Sequence, residues 1–182
     1  MTPPALQTAE APVLPLSQCR FDTFEAGLLP VLRHFLTSFA SPELQAWQFA
    51  YTTAAERWGD SIGLAAAQAL LRVVRALLSA RPGGLTFQDP LCLDARDSVT
   101  EDERLVLEML HHMRRDDTPP ARDTVEVLTE GRMDPDVIRA GLSFARRFPA
   151  GPAGPQRTAG SPPSLRVVGS SPGPESRPGR AI

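Results

Sequence analysis

Apolar residues recur every three or four positions through the middle of the chain, between residues 21 and 148. This spacing places them on one face of an α-helix, and no stretch shows the sustained apolar–polar alternation of a half-buried strand. Helix start and stop signals divide the region into about six segments. The pattern predicts an all-α fold, a single helical bundle of about six helices with disordered N- and C-terminal tails.

The first helix is predicted to begin at a capping box. Asp22 precedes Glu25 by three residues, the spacing at which the two side chains can satisfy each other's backbone N–H groups. The apolar positions that follow keep helical spacing as far as Phe39. Pro30 lies inside this pattern, so we expect the helix either to kink there or to begin at that point.

A helical hairpin is predicted over residues 41–81. Ser41, followed by a proline and an acid, favours a helix start, and Gly59 is expected to end that helix just before a second one begins. The first helix of the hairpin carries an aromatic stripe that we interpret as buried core, with a ligand pocket or partner groove as the alternative. The stripe consists of Trp47, Tyr51 and Trp58.

The rest of the predicted domain, after the hairpin, consists of a loop and three shorter helices. The loop covers residues 82–98, and its leucines and Phe87 indicate that it packs against the bundle. The three helices lie within residues 99–148. Their predicted starts are the capping box Thr100–Glu103, Thr118-Pro119 and Asp134-Pro135.

Both ends of the chain differ in composition from this 21–148 domain. Residues 1–20 contain four prolines and no helical stripe, which predicts a flexible N-terminal arm. Residues 149–182 consist mostly of Pro, Gly and Ser and cannot bury enough apolar area to offset the entropy of ordering them. We therefore expect a disordered tail. Its one apolar cluster, residues 165–168, is a candidate docking segment.

The chain contains no lysine and no asparagine, and all 19 of its Lys+Arg residues are arginine. This excludes a Schiff-base lysine, a P-loop and an N-x-[ST] glycosylation site. Codons for the missing residues are AT-rich, so the composition indicates a high-GC, bacterial genome. Cys19 and Cys92 are far apart and form no C-x-x-C motif.

The charge and hydropathy patterns indicate a cytoplasmic protein without a membrane partner. The formal net charge is −2, which gives no overall attraction to nucleic acid or an anionic membrane. The first residues lack the basic and apolar regions of a secretory signal. The longest apolar stretch, residues 62–71, is shorter than the roughly 20 residues that span a membrane.

One helix face carries residues that could hold a metal ion. Glu108, His112 and Asp116 are four residues apart, and Glu108 with His111 matches the Glu-x-x-His element of di-iron bundles. That architecture needs a second such element, which the chain lacks, and His34 is the only other histidine. A metal-binding helical enzyme is therefore an alternative function, and a solvated helix end is the simpler interpretation.

Residues 118–148 could instead form a helix-turn-helix that binds DNA. Arg139, Arg146 and Arg147 would then contact phosphates. However, residues 98–148 contain 11 acids and 8 arginines, a net charge of −3, whereas a DNA reader is normally basic at this surface. Charge thus disfavours nucleic acid as a partner.

The sequence contains no nucleophile–base pair, phosphate loop or dinucleotide fingerprint, and we predict neither an enzyme nor a cofactor. Amphipathic helices and two tails instead favour protein–protein interaction. The leading hypothesis is a small non-enzymatic cytoplasmic protein that binds another protein or a second copy of itself, as an adaptor, accessory or regulatory factor.

Overall fold

The computed structural model describes residues 13–151 and confirms the all-α prediction. The predicted tails lie outside this range, except for residues 13–20 and 149–151. Two short strands accompany the helices. The elements are β1 (Val13–Pro15), α1 (Thr23–Ala40), α2 (Trp47–Ala80), β2 (Ser98–Thr100), α3 (Glu101–Arg114), α4 (Thr118–Leu128) and α5 (Pro135–Arg147).

Helix α1 begins at the predicted capping box. The Glu25 N–H donates to Asp22 Oδ1 at 2.8 Å, and the Asp22 N–H donates to Glu25 Oε2 at 2.9 Å. Pro30 lies within α1 without ending it. Because proline has no N–H, the carbonyl of Ala26 loses the donor that would normally follow four residues later.

Helix α2 is a hairpin of two helical segments, residues 47–58 and 60–80. They join at Gly59, whose φ of 74° and ψ of 161° break the helix. A Cβ at Gly63 would collide with the backbone carbonyl of Ala54, so the two segments meet at the closest distance that backbones allow. Counting α2 as two segments gives six helices among the described residues.

The predicted start of this hairpin is wrong. The residues after Ser41 form a short 3-10 turn, Pro42–Leu44, and α2 begins only at Trp47. Gln45 adopts the left-handed conformation, with a φ of 48°, which separates the turn from the helix. The aromatic stripe, which we interpreted as buried core, is only partly buried: Trp47, in the first turn of α2, is 47% exposed, whereas Tyr51 and Trp58 are half-buried against the core.

Strand β1 pairs antiparallel with β2 and joins the N-terminal segment to the start of α3. Val13 lies opposite Thr100 and Pro15 lies opposite Ser98. The apolar–polar pattern does not indicate these strands because each is only three residues long. The described part of the predicted arm therefore contributes to the fold, with Leu16 and Cys19 packed against the core.

The starts predicted for α3 and α5 are confirmed. Thr100 and Glu103 form the second capping box. Asp134 caps α5 by accepting from the N–H groups of Asp136, at 2.9 Å, and Val137, at 3.1 Å. These caps fix the positions at which the two helices leave their loops.

The interface between α1 and α3 contains a fully buried ion pair. Arg33 Nε lies 2.7 Å from Glu103 Oε1, and Arg33 Nη2 lies 3.0 Å from Glu103 Oε2. The remaining guanidinium donors reach the backbone carbonyls of Ala95, at 2.9 Å, and Ser98, at 2.6 Å. Glu103 also accepts from the N–H groups of Gln88 and Thr100. Each charge is thus surrounded by hydrogen-bond partners, as a buried ion requires.

Helix α2 has the length and hydropathy of a membrane-spanning helix, with a mean hydropathy of 1.5 over 18 residues. Core helices of folded bundles share these properties. Of that stretch, 44% is buried against the rest of the structure.

Candidate functional site

The side chains that were predicted to hold a metal ion contact different protein groups and do not converge on one point. His111 Nδ1 lies 2.8 Å from Glu25 Oε2, and Glu25 is fully buried. Arg114 and Arg115 also donate to Glu25, and both reach Asp22, which joins the start of α1 to the end of α3. Burial acts to raise the pKa of the Glu25 carboxyl, but hydrogen bonds from Arg115 and His111 outweigh it and hold the pKa below its ordinary value. Glu25 is therefore a paired structural carboxylate.

The other acid and histidine residues of that helix face differ in their surroundings. Glu108 forms an ion pair with Arg104, one turn earlier on α3. His112 Nδ1 lies 3.4 Å from Asp117 Oδ2 but forms no hydrogen bond within the described residues. Asp116 adopts a left-handed φ of 56° just after α3. Among residues 13–151, no group of three or more His, Cys, Asp and Glu side chains is arranged to hold a metal ion.

His34 lies away from the α3 histidines, beside the ring of Phe49 at a centroid distance of 5.7 Å. Burial lowers its pKa, which Asp89 only partly opposes. The structure therefore does not bring His34 to Glu108 and His111.

A cavity of about 350 Å³ lies between the N-terminal segment and α3 and includes Cys19, Glu108, His111 and His112. Sequence reasoning did not foresee the presence of this free thiol beside the histidines. Burial raises the pKa of the Cys19 thiol, and Arg104 opposes this only partly. The thiol is therefore protonated at neutral pH, which makes it a poor nucleophile.

The helices of the DNA-binding hypothesis, α4 and α5, pack mainly on other helices rather than on each other. Helix α4 packs on α3, whereas α5 packs on both α2 and α3. Arg139 is exposed and pairs with Asp136, its Nη1 lying 2.6 Å from Oδ1. Arg146 and Arg147 are exposed at the end of α5. The three arginines therefore lie along one helix, α5, and the first of them, Arg139, is already paired with an acidic residue.

An open concave surface runs along α1 and is here called the α1 groove. It consists of two cavities, of about 440 and 560 Å³, that share Pro90. A single stripe of α1 forms the floor, and one face of the first α2 segment forms one wall. Residues 87–97 form the other wall. The floor residues are Ala26, Leu29, Pro30, Arg33, His34, Thr37 and Ala40, and the α2 wall is Ala46, Phe49, Thr53 and Arg57.

Large apolar side chains surround this groove at its rim. Leu91 is 78% exposed and Leu93 is 76% exposed, on the wall formed by the loop. Leu44 and Phe49 are more than half exposed on the opposite side. The prediction that the loop packs down holds for Leu85 and Phe87, which are buried, and is wrong for Leu91 and Leu93. The charged residues around these two leucines, Asp89, Asp94, Arg96 and Asp97, were the available signal for exposure.

Comparison of the chain with protein-family models, with curated proteins and with solved structures gives no match. The described residues form an all-α bundle with an open groove along α1 that is lined by both apolar and charged side chains.

Proposed function

We propose that the chain is a non-enzymatic bacterial protein of the cytoplasm that binds another protein by holding an amphipathic helix of that partner in the α1 groove. The observation that carries this proposal is the exposure of four large apolar side chains that line the two cavities of the groove: Leu44, Phe49 and Leu91 in one cavity and Leu93 in the other. Single exposed apolar residues are ordinary, but a group around one concave surface is typical of an interaction site. Helix-in-groove recognition uses such surfaces.

The length of the groove suits a helix. Its floor follows α1 from Ala26 to Ala40, which corresponds to about 21 Å at the helical rise per residue. A partner helix of about four turns would match this length.

Charge gives the partner helix a preferred direction. Arg57 and Arg96 lie at the Ala26 end of the groove together with Asp97, which leaves a net charge of +1 there once Arg33 is paired with Glu103. Within residues 13–151 neither Arg57 nor Arg96 forms an ion pair. Asp89 lies toward the other end, beside His34. The C-terminal end of a helix carries partial negative charge, so we expect it to lie over the two arginines, with acidic residues in its last turn.

The test uses 16-residue helices selected from a displayed library for binding to the full-length protein. Replacement of both rim leucines, Leu91→Asp with Leu93→Asp, should weaken the selected helices at least tenfold, because charge would then line the wall that contacts their apolar face. Val127→Asp is the matched control, since Val127 is 58% exposed on α4 and lies outside the groove. Binding constants from fluorescence anisotropy provide the measurement.

Two results would overturn the proposal. One is a failure to select any helix that binds the folded protein. The other is selected helices that bind the Leu91→Asp, Leu93→Asp variant as tightly as the Val127→Asp control.

A further inference from the structure

The α1 groove contains a buried histidine without a hydrogen-bond partner. His34 is only 9% exposed, and it lines the cavity of about 440 Å³ nearer to Ala40. Within residues 13–151, the side-chain hydrogen bonds and ion pairs of histidine belong to His111 and His112, and His34 has none. Buried polar groups are normally hydrogen-bonded, so an unpartnered ring that lines an open cavity indicates a site for a ligand group.

His34 lies near the middle of the groove floor. It follows Ala26 by eight residues and precedes Ala40 by six, about 12 Å and about 9 Å at the helical rise per residue. Residues that dominate binding energy cluster near the centre of an interface, in pockets that become desolvated on binding. A partner side chain that enters this cavity would therefore contribute more to binding than a side chain at the rim.

The walls around His34 are mainly apolar and include two aromatic rings. The ring of Phe49 lies beside that of His34, at a centroid distance of 5.7 Å and an interplanar angle of 34°. Phe87 is buried and lines the same cavity, as do the exposed side chains of Leu44 and Leu91. The cavity volume falls within the range of pockets that enclose small ligands. These walls suit a flat ring, which can pack against the two phenylalanines.

The polar groups of the cavity favour a neutral occupant. Burial lowers the pKa of His34, so its ring is uncharged at neutral pH, and Asp89 then has the one formal charge among the lining residues. Asp89 would repel an anion. Because Asp89 is exposed and accepts from the N–H of Leu91 at 2.9 Å, a cation attracted to it would stay at the rim, in water, rather than enter the apolar cavity.

We propose that this cavity binds a phenol ring, supplied by a tyrosine of the partner helix, whose hydroxyl group forms a hydrogen bond with His34. A neutral histidine ring has one N–H and one nitrogen without a proton, and a hydroxyl group can accept from the first or donate to the second. A phenylalanine ring could fill the same space, but it would leave His34 without a partner. This inference rests on the proposed helix binding and adds the residue type at the centre of the partner.

The first test measures binding of the isolated ring to the full-length protein by NMR. The chain has three histidines, so ¹⁵N labelling of their rings reports on each one. We expect p-cresol, which carries the tyrosine ring, to shift the His34 signals and to bind about three- to tenfold more tightly than toluene, which lacks the hydroxyl group. His111 and His112 line the cavity between the N-terminal segment and α3, and their signals should not shift. His34→Phe should remove the preference for p-cresol, whereas His112→Phe, the matched control, should retain it.

The second test uses the 16-residue helices selected for binding to the α1 groove. We expect a tyrosine at the position that faces His34, and its replacement by phenylalanine should weaken binding to the wild-type protein about three- to tenfold. The same replacement should have little effect on binding to the His34→Phe variant, because the hydroxyl group then has no partner. Both ligand comparisons can be made on the wild-type protein, so neither depends on the folding of a variant.

The outcomes separate this inference from the proposed function. Failure to select any helix, with p-cresol still bound more tightly than toluene, would overturn the helix as the source of the ring, and with it the proposed function. Selected helices that place lysine or leucine opposite His34, or that bind equally well without the hydroxyl group, would overturn the tyrosine alone. Equal binding of p-cresol and toluene to the wild-type protein would overturn the phenol site itself.

Discussion

The hairpin within α2 and the interface between α1 and α3 are held by different interactions. In the hairpin, Gly63 lies against the carbonyl of Ala54, and alanines fill the surrounding buried positions. Between α1 and α3, Arg33 pairs with Glu103 and Glu25 pairs with Arg114, with all four residues buried. Both interfaces are closely packed. The hairpin depends on small side chains that let two backbones approach, whereas the α1–α3 interface depends on the pairing of opposite charges.

This difference predicts different responses to substitution. The hairpin is sensitive to added atoms, because its backbones already touch. The α1–α3 interface is sensitive to the loss of one charge, since the partner is then left buried and uncompensated. Four measurements test this comparison, from the largest expected effect to the smallest.

Arg33→Met should lower the free energy of unfolding by about 3–5 kcal/mol, because Glu103 would remain buried without its cation. Arg33→Met combined with Glu103→Gln should recover most of this loss, since glutamine at that position can still complete the capping box. Urea unfolding provides the measurement. A double variant no more stable than Arg33→Met alone would show that charge balance does not govern this interface.

Gly63→Ala should lower the free energy of unfolding by about 1–3 kcal/mol, because its Cβ would collide with the Ala54 backbone. Gly83→Ala is the control, since a Cβ there meets no atom within 4 Å. Alanine has a higher helix propensity than glycine, so without a collision the substitution would stabilise the helix. A stabilised Gly63→Ala variant would therefore contradict the close approach of Gly63 to the Ala54 backbone.

The decrease in the free energy of unfolding at acid pH should depend on Glu25 and Asp22, whose pKa values lie below the ordinary range for carboxyls. Their contribution is complete above the unfolded-state pKa, near 4, and is lost as pH falls through the lower folded-state values. Each proton that the protein takes up on unfolding adds about 1.4 kcal/mol per pH unit to the slope of the unfolding free energy against pH. Glu25→Gln should flatten the slope below pH 4, and an unchanged slope in chemical unfolding from pH 5 to 2 would contradict the assignment.

Leu91→Asp with Leu93→Asp should change the free energy of unfolding by less than about 0.5 kcal/mol, because both side chains are mostly exposed. Thermal unfolding beside the wild type checks this value. A large destabilisation would show that the loop is part of the core, and would weaken the interpretation of the α1 groove as an open surface.

Local signals in the sequence predicted much of the fold. The two capping boxes, the break at Gly59 and the cap at Asp134 depend on neighbouring residues, and the structure has each of them. The start of α2 could not be placed, because Ser41 and Pro42 also suit a 3-10 turn. Helix capping chemistry alone does not determine how far a turn continues.

The groove and the ion pairs could not be predicted in the same way. Arg33 and Glu103 are 70 residues apart, and nothing in their neighbours distinguishes them from solvated charges. The α1 groove likewise brings together α1, α2 and residues 87–97, so it exists only once these segments have packed. Contacts between distant segments carry no periodic signal along the chain.

The guanidinium of Arg33 has a further consequence through its bonds to the Ala95 and Ser98 carbonyls. These two bonds attach the loop that carries Leu91 and Leu93 to the centre of the bundle. The wall of the α1 groove that carries Leu91 and Leu93 is therefore held in place by Arg33, a residue of the groove floor that is itself only 3% exposed. We therefore expect a substitution at Arg33 to loosen this wall and to raise amide exchange along the loop in molecules that are still folded. If the α1 groove binds a helix as proposed, that binding should weaken at temperatures at which the bundle has not yet unfolded.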